Sequence, residues 1–186
     1  MEIENLLIKI SNILDGLKIP YIITGGMAVS VWGRPRFTAD IDIVVQLLSK
    51  NTNSLAKELL KLDKDVYVSE EAMLEALKNN GEFNFIDPNS QLKVDFWVVD
   101  DTFNKQKIQR AVIKKIGGKK INFISPEDLI LSKLLWHKDS NSTKQLDDIK
   151  SVLAISKIDF KYLKKWAEKQ LTAEILKSII KDIDNN

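Results

Sequence analysis

Two aspartates stand at alternate positions at the start of an apolar segment. Asp40 and Asp42 belong to "DIDIVV", in which isoleucine and valine fill the remaining positions. Such alternation is typical of a β-strand, and it would place the two Cβ atoms on one side of the strand, about 6 to 7 Å apart. Two like charges at this spacing repel each other unless a cation binds between them, and hard oxygen ligands favour Mg²⁺ or Mn²⁺. The alternative is that both carboxylates face solvent on an edge strand.

A third acid and a pair of glycines could complete such a site. Asp95 is a lone acid inside the apolar segment "LKVDFWVV". A third carboxylate is expected where two metal ions bind, because each ion needs several ligands. Gly25 and Gly26 follow the apolar segment "YIIT", and glycines let backbone N–H groups at the start of a helix approach a phosphate. Together these residues predict a site for a metal ion and a nucleotide.

The strands that would hold these residues are predicted from alternation and turn residues. Five or six strands are expected, on the segments "YIIT", "DIDIVV", "EFNFID", "QLKVDFWVV", "AVIKKI" and "KKINFI", with "DVYVS" as a weaker candidate. The break "PNS" and the dipeptide Gly117-Gly118 each favour a turn between two antiparallel strands. The sheet is therefore predicted to contain two hairpins.

Helices are predicted where apolar residues recur at helical spacing. The first part of the chain offers "IENLLIKISNILDGL", "GGMAVSVWGR", "SKNTNSLAKELLKL" with Ser49 or Asn51 as its cap, and "SEEAMLEALKNNG" with a serine cap. From Ser125, which is a cap before Pro126, the chain is predicted to form only helices. We therefore predict an α/β (α+β) fold with a small mixed-sheet core over residues 1–124 and a helical part over residues 125–186.

The composition narrows the chemistry. The chain has no cysteine and one histidine, which excludes thiolate catalysis and zinc sites built from cysteine or histidine. The N-terminus does not resemble a signal peptide and no long apolar segment is present, so a cytoplasmic protein without membrane contact is predicted. The net charge of +2 neither requires nor excludes a nucleic-acid partner. The four tryptophans, Trp97 among them, are predicted to be core or interface residues.

These motifs resemble those of a known superfamily. "TGG", thirteen further residues, "DIDI" and a later strand aspartate in "VDFWV" are similar to the signature of the DNA polymerase beta-like nucleotidyltransferases. "GRPRFTADIDIVV", followed by "SPEDLILSKL" and "KQLDDIKSVL", resembles the AbiEii/AbiGii toxin-like and related minimal branches. The resemblance covers about residues 20–155, which is most of the chain.

The resemblance implies a role for each residue of the proposed site. Gly25 and Gly26 would hold the nucleoside triphosphate, and Asp40 and Asp42 would bind Mg²⁺ or Mn²⁺. Asp95 would also bind the metal and help to deprotonate the attacking hydroxyl.

The resemblance also assigns residues outside these three motifs. Lys133 would be catalytic, Asp148 would help to bind the nucleotide, and Arg36 and Thr38 would contact phosphate or support the loop. The branch often has an acid where this chain has Gln145. From the residues alone, Lys133 could equally be a solvated helix lysine, and Asp147 and Asp148 could both be exposed.

The implied activity is transfer of a nucleoside monophosphate from a nucleoside triphosphate to a hydroxyl, with release of pyrophosphate. The implied acceptor is RNA, in particular a tRNA 3′ end, in a system with a cognate toxin or antitoxin, and the lysine-rich C-terminal helices are a candidate docking surface for it. An antitoxin-type enzyme that modifies a protein hydroxyl (AMPylation) is an alternative. A third alternative is an inactive nucleotide-binding regulatory module.

Overall fold

A computed structural model describes residues 2–66, 68–99 and 101–184 of the 186-residue chain. It contains two compact units. The first, here named the sheet unit, comprises residues 1–27 and 37–124, and the second, the helical unit, comprises residues 28–36 and 125–186. The second segment of the helical unit begins at Ser125. The predicted division of the chain into two domains after Ile124 stays a prediction.

The sheet unit is built on one mixed sheet. Six strands are seen in the described part of the chain: β1 (Tyr21–Ile23), β2 (Asp40–Val45), β3 (Glu82–Ile86), β4 (Lys93–Val98), β5 (Val112–Ile116) and β6 (Lys119–Phe123). Their order across the sheet is β3-β4-β2-β1-β6-β5. The pairs β2/β4 and β1/β6 are parallel, and the pairs β1/β2, β3/β4 and β5/β6 are antiparallel. The predicted α/β (α+β) fold class is thereby confirmed.

Both predicted hairpins are present. β3 and β4 pair around the "PNS" break, and β5 and β6 are joined by Gly117 and Gly118 alone. These glycines have φ angles of +53° and +83°, which suits the two-residue turn whose twist matches that of the strands. The weaker strand candidate "DVYVS" is not a strand at Val66 or Val68, and its Tyr67 lies outside the described residues.

Among the described residues of the sheet unit, five helices begin: α1 (Glu2–Gly16), α2 (Gly25–Trp32), α3 (Ser49–Leu60), α4 (Glu70–Asn79) and α5 (Thr102–Gln109). The predicted caps of α3 are wrong, because the helix already includes Ser49 and its cap position is Leu48, which makes no side-chain hydrogen bond. The serine cap of α4 is confirmed, since Ser69 accepts a hydrogen bond from the Ala72 N–H. Helix α5 was not predicted, and Asp101 caps it by accepting from the Asn104 N–H.

As far as residue 184, the helical unit contains the end of α2 and four further helices: α6 (Pro126–Ser140), α7 (Thr143–Ile155), α8 (Phe160–Lys169) and α9 (Ala173–Asp184). The start of α6 is as predicted, because Ser125 accepts a hydrogen bond from the Asp128 N–H and Pro126 occupies the first turn. No helix in the described residues combines the length and apolar character needed to cross a bilayer.

Candidate active site

The sheet places the three predicted carboxylates next to one another in register. Asp42 on β2 is the direct partner of Asp95 on the parallel strand β4, and Asp40 is the partner of Lys93. Adjacent strands lie about 4.8 Å apart and partners in register point to the same face, so Asp40, Asp42 and Asp95 share one face of the sheet. The sequence predicted the Asp40–Asp42 pair, and the strand pairing adds Asp95 beside it.

The edge-strand alternative for Asp40 and Asp42 is wrong. Strand β2 lies between β4 and β1, well inside the six-stranded sheet. Its opposite face carries Ile41 and Ile43, which are fully buried. The register of β2 is therefore fixed by a buried apolar face, and this holds the two aspartates on the other face.

Gly25 lies directly against the Asp42 carboxylate. Its φ is +58°, in the left-handed region, and a Cβ atom at this position would lie 1.7 Å from Asp42 Oδ2. The connection is held in place by the Thr24 N–H, which donates to the Asp42 backbone oxygen at 2.9 Å. Helix α2 begins at Gly25 and includes Gly26, so the positive end of this helix adjoins Asp42.

Thr38 orients Asp40, the other aspartate of the candidate metal site. Its hydroxyl donates to Asp40 Oδ1 at 2.6 Å. A hydroxyl–carboxylate bond of this length is a strong one, and it fixes one oxygen of Asp40 while leaving the second for another ligand. Thr38 therefore contacts Asp40 in the structure. The predicted role of Thr38 in binding the nucleotide stays a prediction.

Lys93 belongs to the same face and was missed by the sequence analysis. Its Nζ lies 2.7 Å from Asp95 Oδ1. The pKa of Lys93 is raised, first because it donates a hydrogen bond to Asp95, and further by the negative charges of Asp95, Glu82 and Asp40, against the opposing effect of burial. The signal was present in the sequence, since Lys93 stands two residues before Asp95 and strand alternation puts both on one face.

Asp40 and Asp42 offer oxygen ligands of the kind that a divalent metal prefers. In the ranges that the structure describes, no three acidic or histidine side chains lie close enough together to form a complete metal cluster. Mg²⁺, however, is commonly bound through one or two carboxylates together with substrate phosphates and water. Asp40 and Asp42 on one strand face, beside a helix start that suits phosphate, meet that requirement, so these residues fit the group.

A second charged cluster lies within the helical unit. Arg36 donates to both carboxylate oxygens of Asp148, from Nε at 2.9 Å and from a terminal nitrogen at 3.0 Å. Lys133 donates to Asp148 Oδ2 at 2.7 Å and to Gln145 Oε1 at 2.9 Å. Burial alone would raise the pKa of Asp148, but the hydrogen bonds from Arg36 and Lys133 outweigh it and hold that pKa below its usual value.

These contacts decide alternatives that the sequence left open. Lys133 and Asp148 are buried, with 5% and 4% of their surface exposed, whereas Asp147 is exposed. Gln145, at the position where the resembled branch often has an acid, accepts from Lys133 as a neutral group. The three predicted residues Arg36, Lys133 and Asp148 are thus joined in one ion-pair cluster, and their functional assignments stay predictions.

We expect Asp148→Asn to destabilise the chain by about 3 kcal/mol, because it leaves the nearly buried Lys133 and its neighbour Arg36 without their shared carboxylate. Lys133→Met should cost less, since Asp148 keeps its two hydrogen bonds from Arg36. Urea unfolding of the full chain measures both losses. Equal losses in the two variants would contradict the central position of Asp148.

The same carboxylate predicts an acid dependence. A carboxyl group whose folded-state pKa is depressed adds stability at pH values above its ordinary pKa, 3.8 for Asp148, and this stability is lost as the pH falls through the folded value. The wild-type free energy of unfolding should therefore decline across this acid range more steeply than that of Asp148→Asn. Urea unfolding of both proteins at each pH measures these declines. Parallel declines would show that Asp148 is not responsible for the acid dependence.

Solved structures share this fold at low sequence identity. An antigenic nucleotidyltransferase-like protein from Paracoccidioides brasiliensis is 23% identical, with 81% of this chain and 73% of that chain covered and a TM-score of 0.51. ANT(2″)-Ia in complex with adenylyl-2″-tobramycin is 17% identical, with 100% and 98% covered and a TM-score of 0.52. The lincosamide antibiotic adenylyltransferase LnuA, bound to lincomycin, is 16% identical, with 82% and 98% covered and a TM-score of 0.52. At these identities the likeness establishes the fold.

The family is established by sequence. No curated protein matches the chain, but residues 1–183 match a family described as "Nucleotidyltransferase of unknown function (DUF6036)". The predicted nucleotidyltransferase is thereby confirmed, and its placement in the AbiEii/AbiGii toxin-like branch stays a prediction. With nearly its whole length matched, the chain belongs to this family of nucleotidyltransferases.

Proposed function

We propose that the protein transfers a nucleoside monophosphate from a nucleoside triphosphate to a hydroxyl group and releases pyrophosphate. The observation that supports this most strongly is the register of the sheet, which pairs Asp42 with Asp95 and places Asp40 two residues away on the same face. The close approach of Gly25 to Asp42 adds a helix start for the phosphates. A cytoplasmic location, where nucleoside triphosphates are abundant, is part of the proposal.

The nucleotide side of the reaction is assigned to β2 and α2. Asp40 and Asp42 would hold Mg²⁺ or Mn²⁺ together with phosphate oxygens, while backbone N–H groups from Gly25 and Gly26 bind the triphosphate. The bound metal would supply charge neutralisation at the α-phosphate and the leaving pyrophosphate and would lower the pKa of the attacking hydroxyl. Thr38 keeps the Asp40 carboxylate in one orientation through its hydrogen bond.

The acceptor side is assigned to Asp95, whose predicted part in binding the metal stays a prediction. Its carboxylate would take the proton from the acceptor hydroxyl as the oxygen attacks the α-phosphate in line with the leaving pyrophosphate. The ion pair with Lys93 holds this carboxylate in place on the open face of the sheet. From the sequence resemblance, we also propose that Lys133 contributes to catalysis and that Arg36 and Asp148 contribute to nucleotide binding.

Three classes of acceptor are proposed. The resemblance to the toxin-like branch favours RNA, in particular the 3′ end of a tRNA, within a toxin–antitoxin pair, and a protein hydroxyl is the alternative. A small hydroxylated compound is the third class, because structures of the same fold include ANT(2″)-Ia in complex with adenylyl-2″-tobramycin and the lincosamide antibiotic adenylyltransferase LnuA. A nucleotide-binding regulator without turnover is the non-enzymatic alternative.

Asp95→Asn tests the division between the two sides. We expect this variant to lose about a hundredfold in transfer rate, the usual size of a general-base contribution, while it still binds a Mg²⁺–nucleoside triphosphate complex. Rapid-quench measurement of transfer and equilibrium dialysis of the nucleotide give the two values. A parallel loss of nucleotide binding would place Asp95 in the metal site instead, and full activity would remove it from the mechanism.

The acceptor class is tested with α-labelled nucleoside triphosphates and Mg²⁺. Total RNA, a lysate protein fraction and a mixture of small hydroxylated compounds are offered in separate reactions, with an Asp40→Asn/Asp42→Asn double variant as control. Label that appears in one fraction and is lost in the double variant identifies the acceptor class. If the protein binds the nucleotide but labels no fraction and releases no pyrophosphate, the regulatory alternative is supported.

A further inference from the structure

The face of the sheet that carries Asp95 continues onto an open edge. On β4, Trp97 follows Asp95 at strand spacing and therefore points to the same face. On the edge strand β3, Asn84 is the register partner of Asp95, and Glu82 is the register partner of Trp97. Glu82 and Asn84 are exposed, and Trp97 exposes 36% of its surface. Glu82, Asn84 and Trp97 are here named the β3-side patch.

The exposure of Trp97 is unusual for a tryptophan, which is mostly buried on average. Trp97 was predicted to be a core or interface residue, yet it stands on the open face, and the exposed Ile86 lies on the same face of β3. The opposite face of these two strands is closed by buried Phe83 and Phe96, whose rings stack with centroids 4.7 Å apart. The apolar core beneath these strands is therefore formed without Trp97, so its exposed indole is available for a ligand.

The strand order decides which substrate meets the patch. Across the sheet the sequence of strands is β3-β4-β2-β1, and Gly25 at the start of α2 follows β1. The triphosphate side of the proposed site is thus the β1 side of Asp42, whereas the patch lies on the far side of Asp95. In-line attack requires the acceptor oxygen to approach from the side opposite the leaving pyrophosphate. The acceptor would therefore rest on the β3-side patch.

The chemistry of the patch selects among acceptors. An exposed indole binds the face of a ring and attracts an ammonium group, and a neighbouring carboxylate reinforces that preference. Glu82 supplies this carboxylate, and its charge contributes to the raised pKa of Lys93 on the same face. The described patch itself has no basic side chain, and Lys93 is already ion-paired with Asp95. A phosphate-rich polymer would be repelled here, whereas a small cationic ring would be attracted.

We propose that Trp97, Glu82 and Asn84 form the acceptor subsite and that it takes a small hydroxylated ring compound bearing an amine. Trp97 would stack on the ring, Glu82 would pair with the ammonium group, and the Asn84 amide would hydrogen-bond a hydroxyl beside Asp95. The hydroxyl oxygen then forms the new bond to the α-phosphorus, its proton passes to Asp95, and the bond to pyrophosphate breaks. This inference rests on the proposed nucleotidyl transfer and narrows its acceptor.

Three matched sugars test the charge preference. Glucosamine, glucose and glucose 6-phosphate offer the same ring with a positive, neutral or negative substituent, and each is supplied as acceptor with an α-labelled nucleoside triphosphate. We expect glucosamine to be labelled about tenfold faster than glucose and glucose 6-phosphate to be labelled least. Glu82→Gln should remove most of the preference for glucosamine over glucose, whereas Glu75→Gln, a change at an exposed acid of α4, should keep it.

Binding is measured independently of turnover. The indole N–H resonance of Trp97, identified by its loss in Trp97→Phe, should shift during titration with glucosamine and remain in place with glucose 6-phosphate. No shift with glucosamine, or an equal shift with both sugars, would overturn the proposal, as would faster labelling of a short RNA with a free 3′ hydroxyl. Label transfer to total RNA and to a lysate protein fraction is measured in parallel. Transfer to one of these that is lost in Asp42→Asn would show a wrong acceptor subsite, whereas no transfer to any acceptor would show a wrong reaction.

Discussion

Asp42→Asn is expected to reduce nucleotidyl transfer about a thousandfold, which corresponds to the several kcal/mol that a correctly held metal ion contributes to phosphoryl-group chemistry. Asp42 is the one carboxylate that adjoins all the other parts of the site: it follows Asp40 on the same face, pairs with Asp95 across the strands, and contacts Gly25 at the start of α2. Asparagine keeps the shape of the side chain but removes the charge that would bind the metal. Transfer should therefore fail while the fold remains.

The stability of the variant separates these two effects. Asparagine keeps the volume of the side chain and an acceptor oxygen, and it lowers the repulsion among the neighbouring carboxylates, so Asp42→Asn should stay folded and unfold at a temperature close to that of the wild type. Asp139→Asn, a change at an exposed aspartate near the end of α6, serves as the matched control and should retain full transfer. A folded Asp42→Asn protein with near wild-type transfer would show that the metal is held elsewhere.

Gly25→Ala is expected to lower transfer about a hundredfold or more through an entirely different cause. The added Cβ would lie 1.7 Å from Asp42 Oδ2, far inside van der Waals contact, so the carboxylate must leave its position. A displacement of about 1 Å in a group that positions substrate can cost about a hundredfold in rate. The left-handed φ of +58° adds backbone strain for alanine.

Gly118→Ala is the matched control for Gly25→Ala. Gly118 also has a left-handed φ, +83°, but no atom lies within 4 Å of its added Cβ. This change therefore introduces backbone strain without the clash. Transfer assays and thermal unfolding should show a stability loss in both variants and a transfer loss in Gly25→Ala alone. Equal activity in the two alanine variants would contradict the assigned contact between Gly25 and Asp42.

The sequence predicts those parts of the fold and of the site that depend on residues close together in the chain. Strand alternation put Asp40 and Asp42 on one face, and turn residues placed the hairpin at Gly117 and Gly118, and the structure has both. These features depend on neighbours within a few residues, where side-chain direction and turn geometry follow directly from residue type.

The remaining parts depend on pairing between distant segments. The register of Asp42 with Asp95 and the contact of Gly25 with the Asp42 carboxylate both arise from which strands pair, and no local pattern carries that information. The short helix α5 lacks a strong apolar face, and the cap of α3 is a leucine without a capping side chain. In each case tertiary packing outweighs the local signal.

The helical unit shows the same limit in a different form. From the residues alone, Lys133 could equally be solvated, and the partners with which it is buried, Arg36 and Asp148, are separated from it by many residues along the chain. The resemblance placed all three in the functional set without indicating that one carboxylate would receive both cations. Buried charges require such partners, so the cluster explains the burial of Lys133 whatever its role in the reaction.

Transfer at the α-phosphorus is tested most directly by the products of a doubly labelled nucleoside triphosphate. With distinct labels on the α- and γ-phosphates, Mg²⁺ and the acceptor mixture, the wild-type protein should release the γ label as pyrophosphate and attach the α label to an acceptor. Both products should disappear in Asp42→Asn. Release of the γ label as inorganic phosphate, with the α label left in a nucleoside diphosphate, would show a phosphotransferase or phosphatase and contradict the account.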